Sequence, residues 1–262
     1  IDGRKLSGIY SVDGNYSIPT SENNFLGYRG PINLIQNAPG RASFSFSKSM
    51  ITNDEPITNL FGETGFNGGL LYNGKQLCFN SGFLTSYEAS CGIGGIPRTS
   101  ASISVYGDLG GDVVPESNRP QETGTFVPSS SGIIVDCDGR KTNRVVSFSY
   151  SVNINRTPIY KIGSIFPCEV LTASPIESSF SVNMEIDDYS TRNVYDYIKT
   201  GIHNKNFKIQ IEDRCDSSKK TTYLISGAHL VSESFSSDSD NNTTVSLSYS
   251  SVSLDVPSIT YS

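Results

Sequence analysis

Two histidines, His203 and His229, and a few close-set acids are the residues of this chain whose types could do chemistry. A catalytic histidine needs a nucleophile on one side and an acid on the other, and a metal-binding one needs partners at fixed steps. Neither histidine has a Ser-His-Asp or His-x-x-x-His context, so both read as structural. "DCD" at 136–138 and "DSDNN" at 238–242 invite a cation. In the second, Asp238, Asp240 and Asn242 alternate as calcium ligands do. The sixth position is Thr243 where the loop needs Gly, however, and the twelfth is Tyr249 where it needs Glu. A polar turn is the better reading. "GIGG" at 92–95 lacks the spacing and acidic follower of a dinucleotide fingerprint, and Gly65, Gly68 and Gly69 form no phosphate loop. Asp187 and Asp188 are adjacent, so on a strand they point to opposite faces and cannot share a proton. No catalytic constellation, cofactor site or metal site is expected, and the chain reads as a non-enzyme.

Cys78, Cys91, Cys137, Cys168 and Cys215 are odd in number and contain no CxxC pair. They read as reduced thiols of a protein made in a cytoplasm. The chain has 262 residues and a net charge of −6, which argues against a tight grip on nucleic acid. No apolar run is long enough to span a membrane as a helix.

The elements that would position these residues are strands, read from period-2 alternation. "SFSFSKSM" at 43–50 sets Ser43, Ser45, Ser47 and Ser49 against Phe44, Phe46, Lys48 and Met50. "SFSYSVNI" at 147–154, "SSFSVNMEID" at 178–187, "TTVSLSYSS" at 243–251 and "SASISV" at 100–105 follow the same rule. Each is a half-buried strand with one polar, almost uncharged face. One helix is expected over 190–200, with Val194, Tyr197 and Ile198 at core spacing and Gly201 as its C-cap. Residues 40–62 resemble 143–163, with Phe44 on Phe148, and residues 80–92 resemble 225–237, with Ser81-Gly82 on Ser226-Gly227. This echo predicts a tandem arrangement: an N-terminal arm with first strands over 1–40, a first β module over 41–108, a linker over 109–132, and a second β module over 133–262.

The run "RVVSFSYSVNINRTPIYKIGSIFPCEVLTASPIESSFSVNMEID", 144–187, resembles the major tail (tail tube) proteins of tailed bacteriophages. The similar elements are an aromatic/Ser strand, the step "RTPIYKIG" and a second strand ending in acids. "SGFLTSYEASCGIGGIPRTSASISVYGD", 81–108, is similar to the same proteins' strand, Gly-Pro turn and strand ending in "YGD". The resemblance implies a mainly β fold, a tail-tube-like β-sandwich or barrel with one flanking helix. It implies a virion protein whose partners are copies of itself in stacked rings, other tail proteins, and DNA passing through without specific binding. The duplication departs from a single-copy subunit and implies either a fused pair, forming a ring from half the usual number of chains, or one tube domain with a divergent second module. The competing readings are a distal-tail or neck ring protein, and a surface β-sandwich adhesin or carbohydrate-binding module. An adhesin would cluster exposed aromatics on one face, whereas here Tyr and Phe are scattered and Trp is absent.

On the tail-tube reading the hydroxyl strands line a channel, with Ser181, Asn183 and Glu185 as candidate lining residues. Residues 53–76, too long and Gly-rich for a tight hairpin, carry Leu60, Phe61, Phe66, Leu70 and Leu71. So many large apolar side chains on a loop seek a partner. They are the candidate inter-ring contacts.

Overall fold

The computed structural model describes residues 1, 6, 8–23, 33–36, 40–50, 57, 61–72, 75–107, 109, 128–187, 189–201, 204–213, 216–238, 241–254 and 259–261. Among these the chain is mainly β. In chain order the first half contributes β1 (Ile9–Ser17), β2 (Thr20–Asn23), β3 (Asn33–Gln36), β4 (Arg41–Ser49), β5 (Phe66–Tyr72), β6 (Lys75–Gly92) and β7 (Arg98–Val105). The hairpin β8 (Pro128–Cys137) and β9 (Arg140–Thr142) follows, so β8 takes in the end of the segment read as a linker. The second half contributes β10 (Val145–Asn153), β11 (Arg156–Ile159), β12 (Glu169–Thr172), β13 (Ile176–Glu185), helix α1 (Tyr189–Lys199), β14 (Lys205–Asp213), β15 (Lys220–Asp238), β16 (Asn241–Ser253) and β17 (Ile259–Tyr261).

Antiparallel pairing runs β1-β4-β7-β6-β10-β13-β16-β15-β14-β8-β9, with β5 added to β6 and β17 to β15. The alternation seen in sequence sets this sheet. In β4, Ala42, Phe44, Phe46 and Lys48 are buried, and the serines between them are half-buried or exposed. β10 and β13 repeat the pattern.

Two very long strands, β6 and β15, turn the sheet over on itself. β15 pairs β14 through residues 220–228 and β16 through 229–238, bending where Gly227 takes φ 65°. β6 bends likewise at Ser81, φ 55°. A strand that serves two layers through a bend is how orthogonal β packing makes its corners. The folded-over layer lays Phe207 on Phe180 and Tyr249, with centroids 5.4 and 4.4 Å apart, and Tyr223 on Tyr150 at 5.1 Å. In the first half Phe79 stacks on Phe44 at 4.9 Å and meets Phe66 edge-on. These rings belong to one continuous core.

The two halves are copies of one plan, strand for strand. Ser11 on β1 stands opposite Ser47 on β4, and Ser147 on β10 opposite Asn183 on β13. Thr20 faces Gln36, and Arg156 faces Thr172, in the matching two-stranded hairpins. Ser45 faces Ser102 on β7, and Ser181 faces Ser248 on β16. The irregularities match as well. An extra residue, Tyr10 or Val146, interrupts β1 or β10, and Thr85 or Val231 interrupts β6 or β15. At both bends two residues of the long strand oppose a single Asn, Asn67 or Asn206. Ile57, helical and buried, falls between β4 and β5 as α1 falls between β13 and β14.

This registration corrects the sequence alignment at two points. Phe44 corresponds to Phe180, not Phe148, because β4 occupies the place of β13, while β10 matches β1. At the bends Ser81 corresponds to Gly227, one residue away from the Ser226 match. A slip of one residue exchanges the faces of a strand, and the pairing of polar with polar residues fixes the choice. Among the described residues the hairpin β8–β9 has no counterpart in the first half.

The helix spans 189–199, against the expected 190–200, and its stripe packs as read: Val194 and Ile198 are fully buried. The Thr191 hydroxyl meets that of Thr142 on β9 at 2.7 Å. The Tyr197 ring lies between the Arg140 guanidinium and the Lys205 ammonium, 3.6 and 3.7 Å from its centre, and its hydroxyl donates to Asp138. Tyr195 and Lys199 both donate to Glu233 on β15.

Candidate functional site

The polar faces of the strands add up across the molecule. One row crosses the eight strands from β1 to β15 without a break: Ser11, Ser47, Ser100, Glu88, Ser151, Ser179, Ser250 and His229 stand opposite one another in turn. The next row, from β6 to β15, is Ser90, Ser149, Ser181, Ser248 and Ser232. The serines bond to each other and to amides along this face. Ser151 and Ser179 hydroxyls lie 2.7 Å apart, and Asn183 Nδ2 donates to the Ser147 hydroxyl at 2.7 Å. Short side chains on a pleated surface leave the face low and even, with its hydroxyls half-exposed.

Charge is sparse here. Asp13, Glu88, Glu177 and Glu185 lie on the polar face against Arg41 and Arg98, both of which sit at strand ends. The face is therefore hydrated and slightly acidic, without the clustered cations that hold phosphate. Ser181, Asn183 and Glu185, the candidate lining residues, all lie on it, opposite Ser248, Ser246 and Thr244. His229 closes the long row opposite Ser250, and His203 lies outside the described residues. Asp136 and Asp138 sit at the β8–β9 turn, where Asp136 accepts the Gly139 N–H and Asp138 accepts from Asn206. Among the described residues no three His, Cys, Asp or Glu side chains gather as metal ligands.

The candidate inter-ring residues have a different fate. Phe61 and Phe66 are buried in the chain's own core, Phe61 edge-on to Tyr87 and Phe66 to Phe79. Leu70 is half-buried on β5 opposite Leu77, and Leu71 pairs Gln76. Leu60 lies outside the described residues. The run read as a loop is partly a strand, and its aromatic side chains fill space inside the molecule.

Exposed apolar side chains occur elsewhere, singly at Ile93, Ile96, Val231, Phe235 and Leu254, and grouped on the two-stranded hairpins. Around β11–β12, Ile159, Tyr160, Ile162, Ile165, Phe166 and Leu171 are all exposed, Ile162 fully. On the matching β2–β3 hairpin, Leu34 and Ile35 are exposed. The signal for this surface was present in sequence as "PIYKIGSIFP", apolar residues without strand alternation. Arg156 anchors the base of the β11–β12 hairpin, donating to the carbonyls of Leu84 and Phe61 and to the Thr172 hydroxyl. Burial pulls the pKa of Arg156 down.

Cys91 and Cys137 are buried, and desolvation pushes their thiols up to about 11 and about 12. Cys168, on the β11–β12 hairpin, is exposed, Cys215 lies outside the described residues, and no disulfide joins the four described cysteines. No helix among the described residues is long and apolar enough to cross a membrane. No protein-family model matches the chain, and no curated protein matches it.

Proposed function

We propose that the chain is a virion structural protein that assembles into stacked rings, a tail tube through which DNA passes. The observation that carries the reading is the hydroxyl face running unbroken from β1 to β15. The inner strands of that layer pack one side on the core, and their hydroxyl side is half-exposed to water. DNA slides past a wall that is hydrated and weakly acidic, whereas a basic wall would hold its phosphates. Sequence supports the reading through the resemblance to tail tube proteins, and the duplication supports a ring built from half as many chains as modules.

Ring-to-ring contact falls on the hairpins in this reading, with Ile162, Ile165 and Phe166 the anchors of β11–β12. Apolar side chains grouped at a tip form the kind of patch that a partner covers. Negative-stain microscopy of the purified chain tests the whole. Rings or tubes with a central hole are expected, and a monodisperse monomer at high concentration overturns the reading.

A further inference from the structure

The eight-stranded layer has two open edges and one internal seam between its halves. Inside the chain the halves join by antiparallel pairing of β6 with β10, with Ser90 opposite Ser149, Glu88 opposite Ser151, and Ala89 opposite Tyr150. The strand-for-strand correspondence matches β6 to β15 and β10 to β1. Among the described residues, β1 pairs only β4, and residues 229–238 of β15 pair only β16. The open edges of the molecule are therefore the counterparts of the two strands that already bind each other within it.

We infer that β15 of one copy pairs with β1 of the next by repeating the internal β6–β10 seam, residue for residue. This deepens the ring reading by naming its contact, and it needs no assumption about what passes through the ring. Carrying each internal pair across by the correspondence puts Ser236 opposite Asp13, Ser234 opposite Asn15, and Phe235 opposite Gly14 of the next copy. The faces agree. Ser232, Ser234 and Ser236 stand opposite Ser248, Ser246 and Thr244 on the polar side, and Asp13 and Asn15 stand opposite Ser45 and Ser43. The hydroxyl rows would thus continue from copy to copy.

The core side agrees in volume as well. The internal seam sets a large ring, Tyr150, beside a small residue, Ala89, and both are fully buried. The transferred pair is again one ring and one small residue, with the roles exchanged. Phe235 is 61 % exposed, and Gly14 is also exposed. Gly14 already lies close against Phe44, whose ring would meet a Cβ there at 3.0 Å. Phe235 from the neighbour would cover Gly14 and that ring together. Two different edges meeting head to tail close a ring if the rotation permits, and they hide the unpaired strands that otherwise invite aggregation.

Cysteine cross-linking of the full chain in a Cys168→Ser background tests the register. Asp13→Cys and Ser236→Cys change exposed residues on the polar face, so neither disturbs the core. Mixed and treated with oxidised glutathione, the two variants should give a covalent dimer that neither gives alone. Asp13→Cys mixed with Ser237→Cys, which points to the other face, should give about tenfold less. Phe235→Asp should raise the concentration needed for assembly about tenfold while leaving the thermal midpoint of the subunit unchanged. Assembly without the cross-link, or equal cross-linking of the slipped pair, overturns the seam and leaves the ring reading standing. Cross-linked chains without rings keep the seam and overturn the tube, and a monomer that never cross-links overturns both.

Discussion

At the scale of single residues, the cysteines give the cleanest contrast. A thiol reacts as its thiolate, and burial disfavours the charged form. Cys91 and Cys137 ionise only near 11 and 12 in the folded chain, against about 9 when unfolded. Their folded pKa values are raised, so the stability they contribute is intact below pH 9 and is lost as pH climbs from 9 towards 12. Denaturant midpoints measured across that range should fall, and Cys137→Ala should flatten the fall. At pH 8 an alkylating reagent should label Cys168 first and reach Cys91 and Cys137 only on unfolding, as peptide mass mapping would show. Arg156 is a second sensitive point, because its guanidinium satisfies two carbonyls and a hydroxyl at once. Arg156→Ala removes all three bonds and should cost roughly 2–4 kcal/mol in chemical denaturation. Arg156→Lys should recover only part of that, since an ammonium cannot span the same fork.

At the scale of elements, sequence and structure agree where periodicity is strong. The five alternating stretches are all strands, and the helix lies within a residue of its expected place. Alternation is local, so it can be read without knowing what each strand packs against. The departures arose from non-local facts. Phe44 looks like Phe148 as well as Phe180, since β10 and β13 carry the same Ser/aromatic rhythm and only pairing order tells them apart. Residues 61–72 looked like a loop because of their glycines, yet those glycines admit an aromatic ring. A Cβ at Gly68 would run into the Phe79 ring, and one at Gly82, on the facing strand β6, would come within 2.5 Å of the same ring. Gly82→Ala should therefore destabilise the fold by about 1–3 kcal/mol, read as a lower thermal midpoint. Deleting 61–71 should yield insoluble or unfolded chain, because Phe61 and Phe66 leave the core with it. Shortening the β11–β12 hairpin across 161–166 should instead leave a folded subunit that forms single rings and no tubes, as microscopy would show. The apolar run at that tip stands in the sequence, but its exposure depends on what the hairpin packs against, which no local pattern reveals.

At the scale of the whole molecule, the hydroxyl face is the feature that makes a functional reading possible. Its composition was visible as alternate serines. Its continuity was not, because continuity depends on strand order and register across both halves. Ser181→Lys together with Glu185→Lys should leave ring assembly intact and slow DNA delivery, with a steeper dependence on salt than in the parent particle. Equal delivery at low salt would show that this face does not meet DNA. The hairpin β8–β9 extends β14 and clasps α1 through Thr142 and Arg140, and the first half has no described equivalent. In a closed ring the inner wall would therefore count half-chains, since every module presents the same strands there. The feature carrying β8–β9 would recur only once per chain, at half that frequency. A protein that docks on it would read a different symmetry number from the cargo in the bore, so the ring could mate with fittings of two unlike rotational orders without any change in its own subunits.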